Sequence, residues 1–245
     1  MKHYGKIVLD KDPINPRVEY EHLTTMFIIH PKYKHLGDKH DYVPGDFDGW
    51  NNCAERLKAA HKIVRMHPLF IYDHGGVCLS TKGDGVFSDP WDSCMVGFIA
   101  ITQDRVNMHF SKDGSDVGLS EEELESIIQY DITEYNQYLA GDVYGYIIED
   151  EFGNELDSCW GYYGRDNAEQ ALQEELQSFL PSTAKLLLEI DRSAFEEQFG
   201  KISNEQWSSI LERLEDIRDS LVEKCIMELQ PTVALSKTDE SIEIN

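Results

Sequence analysis

The longest uncharged apolar run in this sequence is seven residues, MVGFIAI at 95–101. A helix that crosses a bilayer needs roughly 20 mostly apolar residues. A membrane-spanning chain is therefore not expected, and the core has to be assembled from short segments joined by turns. Short β-branched runs recur along the chain: GKIVL (5–9), LTTMFII (23–29), LFIY (69–72), VCLST (77–81) and MVGFIAIT (95–102). Each is the length of a strand. Gly75-Gly76 between the third and fourth predicts a hairpin. VYGYIIEDEFGNELDSCWGYY (143–163) predicts two more strands around a turn at Phe152–Asn154. His30–Gly49 is polar and reads as a long loop, and long loops often carry function. KGDGVFSDPWDS reads as a second loop.

Helical signals punctuate these runs. Asp48 is placed to cap a helix over 49–66, with Cys53, Leu57, Ala60 and Val64 on one face and Pro68 stopping it. Ser120-x-x-Glu123 is a capping box that opens a helix running to about Leu139, before Gly141. Its stripe is Leu124, Ile127, Ile128, Ile132, Tyr135 and Leu139. Asp166 is placed to cap a helix over 167–179. KLLLEI (185–190) fits either a strand or a helix start. Ser203 opens a long helix over 204–229, in which Trp207, Ile210, Leu214, Ile217 and Leu221 repeat at steps of 3 and 4, a short heptad seam. That seam suits packing within the chain, a homodimer or a foreign helix. The fold class expected is α+β, a mainly antiparallel sheet with packed helices and a long C-terminal amphipathic helix. The organisation expected is an α+β body over 1–164, an acidic helical part over 165–230 and a flexible tail over 231–245.

Charge divides the chain unevenly. Of 245 residues, 22 are Lys or Arg and 46 are Asp or Glu, a formal net charge of −24. Residues 1–110 hold 13 basic and 14 acidic side chains, whereas residues 111–245 hold 9 and 32. Direct binding to a nucleic-acid backbone is not expected at such a charge. The five cysteines, Cys53, Cys78, Cys94, Cys159 and Cys225, are odd in number and lack a C-x-x-C pair. The start, MKHYGKIVLDKDP, has no hydrophobic signal core. Free thiols in a reducing cytoplasm, each packed in the core, are the expectation.

Several segments together resemble a group of phage and mobile-element proteins to which no biochemical activity is assigned. They are NPR (15–17), LTTM (23–26), H-x-x-Y-x-x-LGDKH (30–40), PLFIYDHGG (68–76), DPWDSCMVGFI (89–99), QYLAGDVYGYIIED (137–150) and DSCWGYYG (157–164). The resemblance spans about 15–164. His74-Gly75-Gly76 departs from the His-Ser-Gly usual there, and Cys94-Met95 stands where Gly-Gln usually follows PWDS. The resemblance implies a mobile-element origin and an intracellular site of action, and it assigns no catalytic residues.

Four sets of residues are candidates for chemistry or binding. The loop after the second strand carries His30, His35, Asp38, His40 and Asp41, nitrogen and carboxylate donors suited to Zn, Mn or Fe. With His74 and Asp92 nearby, His30, Asp38, His40 and His74 would form a divalent-metal site of a phosphoester hydrolase. The competing reading makes LGDKH a tight turn, with Asp38 bonding local amides and His40 on the surface. Cys94 in DPWDSC is a second candidate, although neighbouring carboxylates raise a thiol's pKa and a packing role suits it better. Trp91 reads as a core or hairpin anchor. Gly75-Gly76 and Gly83-x-Gly85 fit turns better than phosphate cradles.

The fourth set is the acidic half itself. Glu121, Glu122 and Glu125 lie on the Ser120 helix, Glu149, Asp150 and Glu151 at the hairpin turn, and Glu212, Glu215, Asp216, Asp219 and Glu223 along one stripe of the last helix. Such rows suit a solvated face or a surface that meets a basic partner, in the manner of a nucleic-acid mimic. The leading expectation is a non-enzymatic cytoplasmic accessory protein of a phage or mobile element. It would bind a basic host protein, of a defence or nucleic-acid-handling system, and inhibit it. No cofactor and no membrane partner are expected. The alternative is the metal-dependent hydrolase.

Overall fold

The computed structural model describes residues 3–112, 115–178 and 192–225. They form helices and two antiparallel sheets, distributed over two compact units. One unit is residues 12–143. The other joins the residues up to Lys11 to the described residues from Tyr144 onward.

The 12–143 unit is built on four antiparallel strands in the order β2 (Thr24–Ile28), β5 (Ser93–Thr102), β3 (Ile63–Asp73), β4 (Val77–Ser80). On one face Met26, Ile28, Ile71 and Ile99 pack against Leu124, Ile128, Ile132 and Tyr135 of helix α4 (Glu121–Ala140). Burying each such side chain contributes about 1.5–3 kcal/mol. On the other face Phe27, Ile29, Phe98 and Ala100 pack against Cys53 and Leu57 of helix α2 (Gly49–Ala60). Helix α4 starts as its sequence dictates. The Ser120 Oγ accepts from the Glu123 amide while the Glu123 carboxylate accepts from the Ser120 amide, and Gly141 ends the helix at φ 71°. Helix α3 (Gln103–Phe110) follows β5 directly, its first turn capped by Thr102.

Strand β5 serves both faces by alternation, Ile99 and Ile101 on one and Phe98 and Ala100 on the other, and it also contains a bulge. Leu69 pairs with Gly97 and Phe70 with Met95, so Val96 is the extra residue. The shift puts Val96 on the same side as Ile99 and Ile101. The Val96 carbonyl accepts from both Ile29 and His30 amides, which fixes where the chain leaves β2. Gly97 has no room for a side chain, because a Cβ there would collide with the Phe27 carbonyl oxygen.

In the other unit, β1 (His3–Leu9), β6 (Val143–Asp150) and β7 (Glu155–Tyr163) form an antiparallel sheet in the order β1-β6-β7. Ile7, Tyr146 and Ile148 pack against Ala168, Leu172 and Leu176 of helix α5 (Arg165–Ser178). The Asp150 carboxylate holds the β6–β7 turn by accepting from the Phe152 and Asn154 amides, both at 2.8 Å. Helices α6 (Arg192–Phe199) and α7 (Asn204–Cys225) follow. Ser203 and Gln206 cap α7 reciprocally, and the Phe195 and Trp207 rings lie 5.6 Å apart.

Several expectations need correction. The helix expected over 49–66 ends at Ala60, and 63–66 belong to β3. Ala60 and Val64 are exposed rather than part of a buried stripe. Pro68 is a strand residue opposite Phe98, not a helix stop. It lies before the residues that β4 pairs, where one side of the strand is open and a missing N–H costs little. Trp91 is 91% exposed and anchors nothing. Among the described thiols, Cys53 alone is buried in the core; Cys78 is half-buried, and Cys94 and Cys159 are exposed. Asp166 lies inside α5, not before it. KLLLEI (185–190), the tail from 226 on, and the side chains of Asp219, Leu221, Glu223 and Cys225 lie outside the described residues.

Candidate functional site

The His/Asp loop does not converge on a metal. Asp38 folds back onto β2: its Oδ2 accepts from the Met26 amide at 2.8 Å, and its own amide donates to the Met26 carbonyl at 3.0 Å. Gly37 makes this approach possible, since a Cβ there would come within 2.8 Å of the Met26 oxygen. The His40 Nε2 donates to the Ile28 carbonyl at 3.0 Å, which fixes its tautomer. Burial holds its pKa below the ordinary imidazole value. The His30 ring lies 5.1 Å from the Tyr33 ring, tilted by 38°, with its Nδ1 buried and without a partner. His74 pairs instead with Asp92, Nδ1 to Oδ2 at 3.0 Å. His35 is exposed. Among the described residues, no group of three or more His, Cys, Asp or Glu side chains is arranged to hold a metal. The competing reading, a tight turn with Asp38 on local amides and His40 on the surface, needs correction as well: the amide that Asp38 accepts from lies 12 residues back, on β2, and His40 is half-buried against the Ile28 carbonyl.

Cys94 is exposed, and desolvation raises its thiol pKa, with the Lys32 ammonium opposing and Asp73 adding to the rise. Asp73 accepts from Lys32 at 2.8 Å and from the Tyr33 hydroxyl at 2.9 Å. A thiol held protonated in this way is a poor nucleophile.

The acidic residues differ in how free they are. Glu121 and Glu125 both bind Arg65, and Glu125 also meets His67 at 2.8 Å. Glu149 pairs with Lys6, and Asp150 is occupied by its own turn. Glu122, Glu151, Glu212, Glu215 and Asp216 are exposed. The seam of α7 is only partly covered: Trp207, Ile210 and Leu214 are half-buried and Ile217 is exposed.

What sequence reasoning missed is a buried ion network in the 12–143 unit. The Arg17 side chain is 3% exposed. Its guanidinium reaches the Asp38 carboxylate, the Thr24 hydroxyl at 3.0 Å, the Thr24 carbonyl at 3.1 Å and Asp131 Oδ2 at 3.3 Å. The Thr24 hydroxyl donates to Asp131, and His22 Nδ1 lies 3.4 Å from Asp131 Oδ1. His22 Nε2 faces the Pro16 carbonyl at 2.9 Å. Both ring nitrogens therefore face acceptors, an arrangement that suits imidazolium. The Asp131 bond raises the His22 pKa, against the opposing effects of burial and Arg17. Burial alone would raise Asp131, but the bonds from His22 and Thr24 and the Arg17 charge hold it low. The segments NPR, LTTM and LGDKH thus meet around one guanidinium.

This network walls a groove of about 550 Å³. Leu23, Ile127, Tyr20 and Tyr130 line it, together with Glu21 and Glu134. Burial raises the Glu134 pKa, and the Tyr130 hydroxyl donates to Glu134 at 3.3 Å. Among the described residues, no helix is long and apolar enough to cross a membrane. Comparison with protein-family models, with curated proteins and with solved structures finds no match.

Proposed function

We propose that the chain is a non-enzymatic accessory protein of a phage or other mobile element. It acts in the host cytoplasm by binding, and so inhibiting, a host protein with a basic surface. A nucleic-acid-handling protein, such as one of a defence system, is the partner chemistry that best suits it. The observation that carries this reading is the charge of residues 111–245, 32 acidic side chains against 9 basic. Exposed carboxylates at Glu122, Glu151, Glu212, Glu215 and Asp216 support it. Opposed charge steers and holds such complexes, and salt screens it.

The test is capture of partners from host lysate over a NaCl series, with the triple variant E212Q/E215Q/D216N alongside. The expected result is a basic partner whose affinity falls steeply with salt and falls again in the variant. A complex indifferent to both would overturn the reading.

Ile217, 49% exposed, favours a second role for α7. The Trp207–Leu221 seam would then pair two copies of the chain. Light scattering on a chain truncated after residue 202 tests this: a dimer that survives the cut contradicts it.

A further inference from the structure

The groove beside the Arg17 network has no part in the acidic-surface reading. We propose that it binds a primary alkylammonium ion, of the kind carried by a polyamine or by a lysine side chain. Its volume of about 550 Å³ is that of a small-ligand site. Leu23 and Ile127 offer an apolar wall for a methylene stem. Tyr20 and Tyr130, both exposed, offer ring faces to a cation.

The charge of the site follows from its partners. Arg17, joined by His22 when that ring is protonated, faces the two carboxylates of Asp38 and Asp131, so the buried network carries no net positive charge. Asp131 is fully engaged by Arg17, Thr24 and His22. Arg105 is held at the His22 carbonyl. Of the remaining lining residues, Glu21 and Glu134 are the carboxylates and His109 is the one other titratable side chain with a basic nitrogen, so the two glutamates make the groove attractive to cations. Glu134 is the half-buried member, with one oxygen taken by the Tyr130 hydroxyl. The single remaining oxygen suits an ammonium, a point charge, better than a guanidinium, which prefers a two-pronged carboxylate. A hard divalent cation would want several converging oxygens and no apolar wall.

The experiment titrates the full chain at pH 8 and low salt with spermidine and, separately, with Nα-acetyl-lysine N-methylamide. Amide chemical shifts of Leu23, Tyr130 and Glu134 are followed, and 1-butanol serves as the uncharged stem. The expected result is saturable shifts at these residues with an amine, and binding weakened about tenfold or more in Glu134→Gln, the loss of one charge-assisted bond. Tyr130→Leu keeps the apolar stem contact and removes the ring face, so it should weaken the amine and leave butanol unchanged. Tighter binding of spermidine assigns a free polyamine; equal or tighter binding of the lysine derivative assigns a protein side chain. Equal binding of butanol, affinity unchanged in Glu134→Gln, or shifts confined to the acids of α7 would each overturn the proposal. None of these outcomes depends on the basic-partner reading.

Discussion

The Arg17 Nη1 lies 3.3 Å from the Asp131 Oδ2, across 114 residues of sequence. The pair ties the short helix Pro16–Glu19 and the start of β2 to the middle of α4. Both side chains are almost completely shielded from water. Asp131→Ala should therefore cost about 3–5 kcal/mol, since it leaves a buried guanidinium short of a counter-charge. Urea unfolding measures it. A loss below about 1 kcal/mol, the range of surface pairs, would show that the network is not a structural tie.

The His22 pKa is raised, so between the ordinary imidazole value of about 6.5 and its folded value the native state binds more protons than the unfolded chain. Its stabilising contribution is complete below about pH 6.5 and is lost as pH rises through the folded pKa. The stability difference between wild type and His22→Gln should shrink with rising pH. His40 has the opposite sign: its lowered pKa makes stability fall as pH drops below about 6.5, and His40→Gln should remove that part of the slope. Unfolding series from pH 5 to 9 on both variants, roughly spanning these values, read out each contribution separately.

Gly97→Ala should be among the most damaging single-methyl changes in the chain, because the new Cβ meets the Phe27 backbone rather than a side chain that can swing away. A loss of about 1–3 kcal/mol or more is expected. Gly45→Ala, where a Cβ meets nothing within 4 Å, is the matched control and should be nearly neutral.

Ser120→Ala should cost about 1 kcal/mol by removing the acceptor for the Glu123 amide. Thermal unfolding of the variant measures it, and Ser120→Asp, which keeps an acceptor, should recover most of the loss.

Thiol labelling at pH 8 should separate the cysteines. Cys159 and Cys94 are exposed and should react in the folded protein, Cys94 the more slowly because its pKa is raised. Cys53 is buried, with its thiol pushed up to about 11, and should react only on unfolding. Mass spectrometry of labelled peptides reports the order.

The parts of the fold legible in the sequence were those with local causes. The Ser120 box, the glycine after Ala140 and the short β-branched runs each specify their element within a few residues. The helix after Asp48 was extended too far because Val64 continues the spacing of Cys53 and Leu57. That spacing cannot report that Ile63–Met66 pair with β5. Trp91 misled for a related reason. Its size argues for burial, whereas the Asp89 carboxylate fixes its backbone in an exposed turn. The Arg17 network was illegible because Asp38 and Asp131 come from segments 21 and 114 residues away from Arg17. No periodicity joins Arg17 to Asp131; only three-dimensional packing does.

The pairing of β1 with β6 has a consequence for how the chain is made. His3 pairs with Asp150 and Leu9 with Tyr144, so β1 has no partner in its sheet until about 135 further residues (144 − 9) have been synthesised. At ribosomal speeds of about 5–20 residues per second, that is a wait of roughly seven to thirty seconds. The whole four-stranded sheet is encoded within that interval. The emerging polypeptide can complete it while β1 is still an unpaired strand, open to chaperones and to other nascent chains.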